Sequence, residues 1–155
     1  MMPPALAYQD GPWDGPRVTL VNPTRARPVQ DSTVFSNPRP AWANEALQKL
    51  GALMDLRSGW DGHVGKPISS VALSYTFNIL GHIMQPGVPL PSITPLSYGG
   101  VQLEWHRKGW DLEIEIVGAG KIQVFARDIQ SGEESELELG ADLSALSGYI
   151  DTVKD

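Results

Sequence analysis

Apolar and polar residues alternate along two arms in Gly99–Ile116, GGVQLEWHRKGWDLEIEI. Val101, Leu103 and Trp105 alternate with Gln102, Glu104 and His106, and Leu112, Ile114 and Ile116 alternate with Asp111, Glu113 and Glu115. A period of two on both arms predicts two half-buried strands. Lys108-Gly109 fits a two-residue primed turn, with glycine taking the positive φ. That turn sets Arg107 opposite Trp110, Trp105 opposite Leu112, Leu103 opposite Ile114 and Val101 opposite Ile116. Every apolar side chain then falls on one face, whereas a one-residue slip mixes the faces. The other face pairs His106 with Asp111, Glu104 with Glu113 and Gln102 with Glu115. Glu104 facing Glu113 costs on the order of a few tenths of a kcal/mol. Either solvent screens that repulsion or a positive group is meant to sit there.

The same patterning extends in both directions. Gly118-Ala119-Gly120 reads as a three-residue turn into a strand over Lys121–Arg127, which pairs Ile116 with Ile122 and Ile114 with Val124. Gln123, Phe125 and Arg127 then join the outer face, and Asp111 lies between His106 and Arg127. Ser135–Leu139 forms a further strand, with Leu137 and Leu139 inward and Glu136 and Glu138 outward. Ile93 lies in an edge strand, because Pro95 is unsuited to a central one.

Upstream, Ala43, Ala46, Leu47, Leu50, Leu53 and Met54 follow helical spacing and predict a helix from Ala41 to Arg57, ended by Ser58-Gly59. Gly51 interrupts this stripe and offers room for a close helix contact. Ser69 is placed as the N-cap of a second helix, with Ile68 stapled to Leu73. Its buried stripe is Ala72, Thr76, Ile79, Leu80 and Ile83, and Pro86-Gly87 closes it. Asp142 caps a last helix carrying Leu143, Leu146, Ile150 and Val153. Consecutive hairpins need no crossover. The fold class is therefore α+β: two N-terminal helices, a four- to five-stranded antiparallel meander and a C-terminal helix, with the helices on one sheet face.

Composition changes this picture at the N-terminus. Eight of the 13 prolines precede residue 41. Residues 1–40 therefore read as a Pro-rich extended arm, and 41–155 as a single α+β domain. Within the arm only Arg17–Asn22 has strand character. The arm is read either as a flexible tail or as a segment that packs on the domain with Val18, Leu20 and Phe35 as anchors, or docks on a partner. The formal net charge of −6 argues against direct nucleic-acid binding. The chain has no Cys, so thiolate catalysis, disulfides and thiolate zinc sites fall away. No apolar run reaches the roughly 18–20 residues of a membrane span. The start lacks the basic and apolar regions of a signal peptide, and a cytoplasmic location is the expectation.

The candidate chemistry is concentrated on the outer sheet face: Glu104, His106, Asp111, Glu113, Glu115, Phe125 and Arg127. Carboxylates beside a histidine build metal sites and acid–base pairs. Polar residues are also what the solvent face of a one-sided sheet carries. The like pair and the neighbouring aromatic favour a third reading, a surface for a basic partner. Trp60-Asp61-Gly62 sits in a glycine-flanked loop. A Trp there can stack on a ligand, but the favoured reading is structural, with Trp60 closing the core between two helices and Asp61 capping backbone amides. The same tripeptide at Trp13-Asp14-Gly15 has no similarity around it. His63, His82 and His106 lack metal-ligand spacing. No serine sits in a G-x-S-x-G elbow, and there is no phosphate loop. No catalytic residue, metal or cofactor is assigned.

S-G-W-D-G (58–62) and K-P-I-S (66–69), taken with G-G-V-Q-L-E-W (99–105) and D-L-E-I-E-I (111–116), resemble a group of small bacterial proteins. These share a G-W-D-G loop, two helices and a hairpin of this type, and the resemblance covers about residues 42–127. It implies an accessory or neutralising role in variable genome regions among toxin–antitoxin or phage-related genes, and it brings no established activity. The expected function is a non-enzymatic interaction module, such as an antitoxin, an immunity protein or a phage-defence or counter-defence accessory. It would bind a protein partner of basic character (a toxin, nuclease or assembly subunit) through the acidic face and the arm. The alternatives are a small metal-dependent hydrolase using His106, Asp111 and Glu113, and a structural subunit whose arm threads into a larger assembly.

Overall fold

A computed structural model describes residues 39–155. Apart from Arg39 and Pro40, the Pro-rich arm lies outside the described residues. The element order is α1 (Ala41–Met54), α2 (Ser70–Ile83), β1 (Ser92–Pro95), β2 (Val101–Arg107), β3 (Trp110–Gly118), β4 (Lys121–Asp128), β5 (Glu134–Leu139) and α3 (Leu146–Val153). The strands form one antiparallel sheet in the order β1-β2-β3-β4-β5. This is the expected α+β architecture.

The β2–β3 register is the one the alternation demands, from Val101 opposite Ile116 to Arg107 opposite Trp110. Lys108 and Gly109 have φ of 53° and 78°, the two positive values of a type I′ turn. β4 continues the pattern, with Ile116 opposite Ile122 and Ile114 opposite Val124. The following turn is tighter than expected. Gly118 itself pairs with Lys121 after a register irregularity at Ile116/Gly118, and Gly120 takes φ 66°. The irregularity lies beyond the last apolar pair, so it exchanges no core residue with the surface.

Val101, Leu103, Leu112, Ile114 and Ile116 are fully buried, and Trp105 nearly so. The Trp105 indole N–H donates to the Pro89 carbonyl at 2.8 Å, which satisfies its one polar atom. The helices supply the other half of the core. α2 buries Ala72, Leu73, Thr76, Ile79, Leu80 and Ile83. Thr76 resolves its buried hydroxyl by donating to Ala72 O at 2.7 Å. Ile68 and Leu73 are both buried in the positions of a hydrophobic staple. Ser69 is the N-cap, but its side chain makes no capping hydrogen bond.

Several local expectations are corrected. α1 stops at Met54 rather than Arg57, and its last turn closes through the Asp55 amide donating to Ala52 O at 3.4 Å and the Leu56 amide to Leu53 O at 3.2 Å. Its buried stripe is Ala43, Ala46, Leu50 and Leu53. Leu47 (38% exposed) and Met54 (67%) lie outside it. Both sit at the margin of the apolar arc, where helical spacing alone does not say how far the neighbouring elements reach. Nothing lies within 4 Å of where a Gly51 Cβ would be, so that glycine serves no close helix contact. α3 begins at Leu146, and Asp142 caps the preceding turn by accepting from Ser144 N at 2.9 Å. No helix among the described residues is long and apolar enough to cross a membrane.

Leu103, fully buried at the centre of the sheet, is the test of this assignment. Leu103→Ala is expected to cost about 2–5 kcal/mol. Met54→Ala should stay within about 0.5 kcal/mol. Urea unfolding midpoints measure both, and equal effects would contradict the stripe described here.

Candidate functional site

The face of the sheet turned away from the helices gathers every predicted face residue. Glu104 stands opposite Glu113, His106 opposite Asp111, and Asp111 opposite Arg127 on its other side. Glu113 is also opposite Phe125, which in turn faces Glu136. Phe125 is half-buried rather than fully exposed. Arg127 is beside Asp111 by register, but its guanidinium Nε lies 3.6 Å from Glu134 Oε1.

The like-charge pair is relieved by neighbours rather than by solvent alone. Thr94 Oγ1 donates to Glu104 Oε1 at 3.3 Å, and Gln102 Nε2 donates to Glu113 Oε2 at 3.0 Å. His106 bridges the two acids on its flanks. Its Nδ1 is 2.8 Å from Asp111 Oδ1 and its Nε2 is 3.6 Å from Glu104 Oε2. The hydrogen bond to Asp111 raises the imidazole above the ordinary histidine value. Partial burial works against this, and the Asp111 and Glu104 charges add to it. Glu113 is raised too, first by burial and then by the Glu104 charge. Tyr98, in the turn after β1, donates its hydroxyl to Glu115 Oε2. Burial, followed by the Glu115 contact, pushes the phenol well above its usual range.

Two adjoining depressions mark this face. One, of about 390 Å³, is lined by Phe125, Leu137, Glu113, Glu115, Glu136 and Glu138, among others. The second, of about 720 Å³, lies between Tyr98, Val117, Lys121 and Leu139 and shares Glu115, Gln123 and Glu138 with the first. His106 lines neither. Among the described residues no group of three or more His, Cys, Asp or Glu is arranged to hold a metal ion. The His106–Asp111 pair has the form of an oriented imidazole, but the depressions open elsewhere on the face. Thr94 and Tyr98 are not among the residues that the sequence singles out. They come from β1 and its turn, whose pairing with β2 carries no periodic signal long enough to read.

The Trp60-Asp61-Gly62 loop is built as a local structure. Asp61 Oδ1 accepts from His63 N at 2.9 Å and from Gly65 N at 2.8 Å. These two amides hold its carboxyl below the usual carboxylate range. Gly59 and Gly62 take φ of 78° and 82°, where a side chain would be strained. Trp60 does not close the core between the helices: its indole stays on the loop and donates to Lys66 O at 2.9 Å. The loop's far end joins the sheet. Lys66 N donates to Ser97 O at 2.7 Å and Ser69 N to Gly99 O at 2.9 Å. K-P-I-S (66–69) and G-G-V-Q-L-E-W (99–105), two of the four stretches that carry the resemblance, therefore touch.

No family model, curated protein or solved structure matches this chain.

Two outcomes test the site. The His106 imidazole should titrate above 6.5 by NMR and fall back toward it in Asp111→Asn. Because the folded value is raised, the stability this pair contributes is complete below pH 6.5 and is lost as pH rises through the folded value. An unchanged midpoint in Asp111→Asn would remove the Asp111 contact as the cause. In the loop, a Gly65 Cβ would lie 2.8 Å from Asp61 Cγ and 2.9 Å from Trp60 Nε1. Gly65→Ala is therefore expected to lower the melting temperature and shift the Trp60 indole signal. Gly62→Ala should lower the melting temperature through backbone strain alone, with the Trp60 environment kept.

Proposed function

We propose that the chain is a non-enzymatic bacterial interaction module, of the kind that neutralises or assists another protein: an antitoxin, an immunity protein or a phage-defence accessory. It works in the cytoplasm on a basic protein partner, with the outer sheet face as the docking surface and the N-terminal arm as a second contact. The observation that carries this reading is the composition of the face. Glu113, Glu115, Glu136 and Glu138 surround the half-buried Phe125 in one depression. An aromatic among carboxylates offers apolar contact at the centre and charge at the rim. Against a basic partner this arrangement speeds encounter and fixes orientation. Carboxylates placed in this way can occupy the basic groove that a toxin or nuclease uses for nucleic acid.

Reversing Glu104 and Glu113 to Lys is expected to weaken capture of the native partner by about tenfold or more. Circular dichroism and the melting temperature should show the fold intact, since both side chains lie on the outer face. A pull-down from the host with unchanged recovery would overturn the proposal.

A further inference from the structure

The two edges of the sheet are built differently. β1 is four residues long, with Pro91 just before it and Pro95 at its end. Short length and proline are the usual means by which a sheet blunts an edge. β5 has six residues, ESELEL, with neither proline nor glycine. Among the described residues it pairs with β4 alone. Among the described residues, no backbone hydrogen bond outside the sheet ladders involves a β5 residue. Alternate amides and carbonyls of Glu134–Leu139 thus face away from β4 without a backbone partner among the described residues.

The two faces of this edge differ in chemistry. Glu134, Glu136 and Glu138 are exposed on the outer face. On the inner face Leu137 and Leu139 are only half covered, although Val124 and Ile122 opposite them are 2% and 1% exposed. The apolar layer therefore runs out one strand early. A second copy of β5 is a poor cover. In an antiparallel self-pair, keeping leucines on the leucine side sets glutamates directly against glutamates, which is destabilising. A strand with basic residues on one side and apolar residues on the other matches both faces at once.

We infer that β5 is a strand-addition site for an extended segment of the partner in which basic and apolar residues alternate. The basic side chains lie along Glu136 and Glu138 beside the two depressions. The apolar ones extend the layer of Leu137 and Leu139, and the ladder supplies affinity that does not depend on charge. This inference rests on the partner-binding reading of the outer face and adds the edge and the residue pattern.

The test uses the full chain and a short labelled synthetic peptide alternating arginine and valine. Fluorescence anisotropy should show binding. Methylating the backbone nitrogens of either all the arginines or all the valines should, for one of the two peptides, weaken it by about tenfold or more. Glu136→Lys with Glu138→Lys should weaken it similarly, and the amides of β5 that face away from β4 should gain exchange protection only when peptide is present. Protection of those amides in the chain alone would overturn the inference, as would a chain that dimerises through β5 or a peptide that does not bind. If both methylated peptides bind like the parent while Glu104→Lys with Glu113→Lys abolishes binding, the edge is wrong and the acidic-face reading stands. If neither methylation nor any charge reversal changes binding, both are wrong.

Discussion

The turn at Lys108-Gly109 constrains most of the sheet. Two consecutive residues with positive φ match the right-handed twist of the flanking strands and leave β2 and β3 one compatible register. Side chains on a strand alternate faces with a period of two, so this single choice assigns every residue of both strands to core or surface. It puts Leu103, Trp105, Leu112 and Ile114 in the core and Glu104, His106, Asp111 and Glu113 on the outer face. β4 and β5 inherit the assignment through the pairs Ile114–Val124 and Val124–Leu137. Core and candidate site are consequently two sides of one decision. A shift of one residue would set Leu103 opposite Glu113 and, with β2 in place, turn Glu113 under the helices, where an unpaired carboxylate is far costlier than an exposed one.

A second junction ties the helical layer to the sheet. The amide of Ser69, at the start of α2, donates to Gly99 O, and Lys66 N donates to Ser97 O. Gly99 tolerates this approach because it has no Cβ. One built there would lie 3.0 Å from Pro67 O, and the residue takes φ 97°. The G-W-D-G loop fixes the other side of the junction through Asp61 and the Trp60 indole. Two stretches of sequence separated by a whole helix thus depend on each other by contact. Their joint occurrence is explained by folding and needs no shared ligand.

The strands are the most legible part of the chain, because a period of two and a glycine turn are both local. Register follows from them across three strands. The helix limits are less legible. Nothing in the sequence marks Met54 as the last residue of α1, since the stop comes from the Asp55 and Leu56 amides bonding back to Ala52 O and Leu53 O, which any residue but proline can do. Trp60 misleads for a similar reason: its apolar ring implies the core, while its one polar atom is claimed by Lys66 O in the loop. At the site, the partners across β2 and β3 can be read from the sequence, because register dictates them. The donors that relieve the acids cannot. Thr94 and Tyr98 belong to a four-residue edge strand and its turn, and only the folded pairing of β1 with β2 brings them to Glu104 and Glu115.

Those donors alter what the acidic face means. A like pair such as Glu104–Glu113 suggests an unmet need for positive charge when seen on the sequence alone. In the fold, Thr94, Gln102 and His106 meet part of that need from within. The remainder shows in Glu113, which burial and the Glu104 charge still hold above the ordinary carboxylate value. The carboxylates nearest β1 are therefore the more internally satisfied. Toward β5 the balance changes. Glu138 has one long contact from Gln123 at 3.4 Å, and Glu136 has neither a hydrogen bond nor an ion pair among the described residues. Apolar surface is also left half covered there, at Phe125, Leu137 and Leu139. Charge with few internal partners and apolar area with incomplete cover are what an incoming chain can improve, and both increase in the same direction across the sheet.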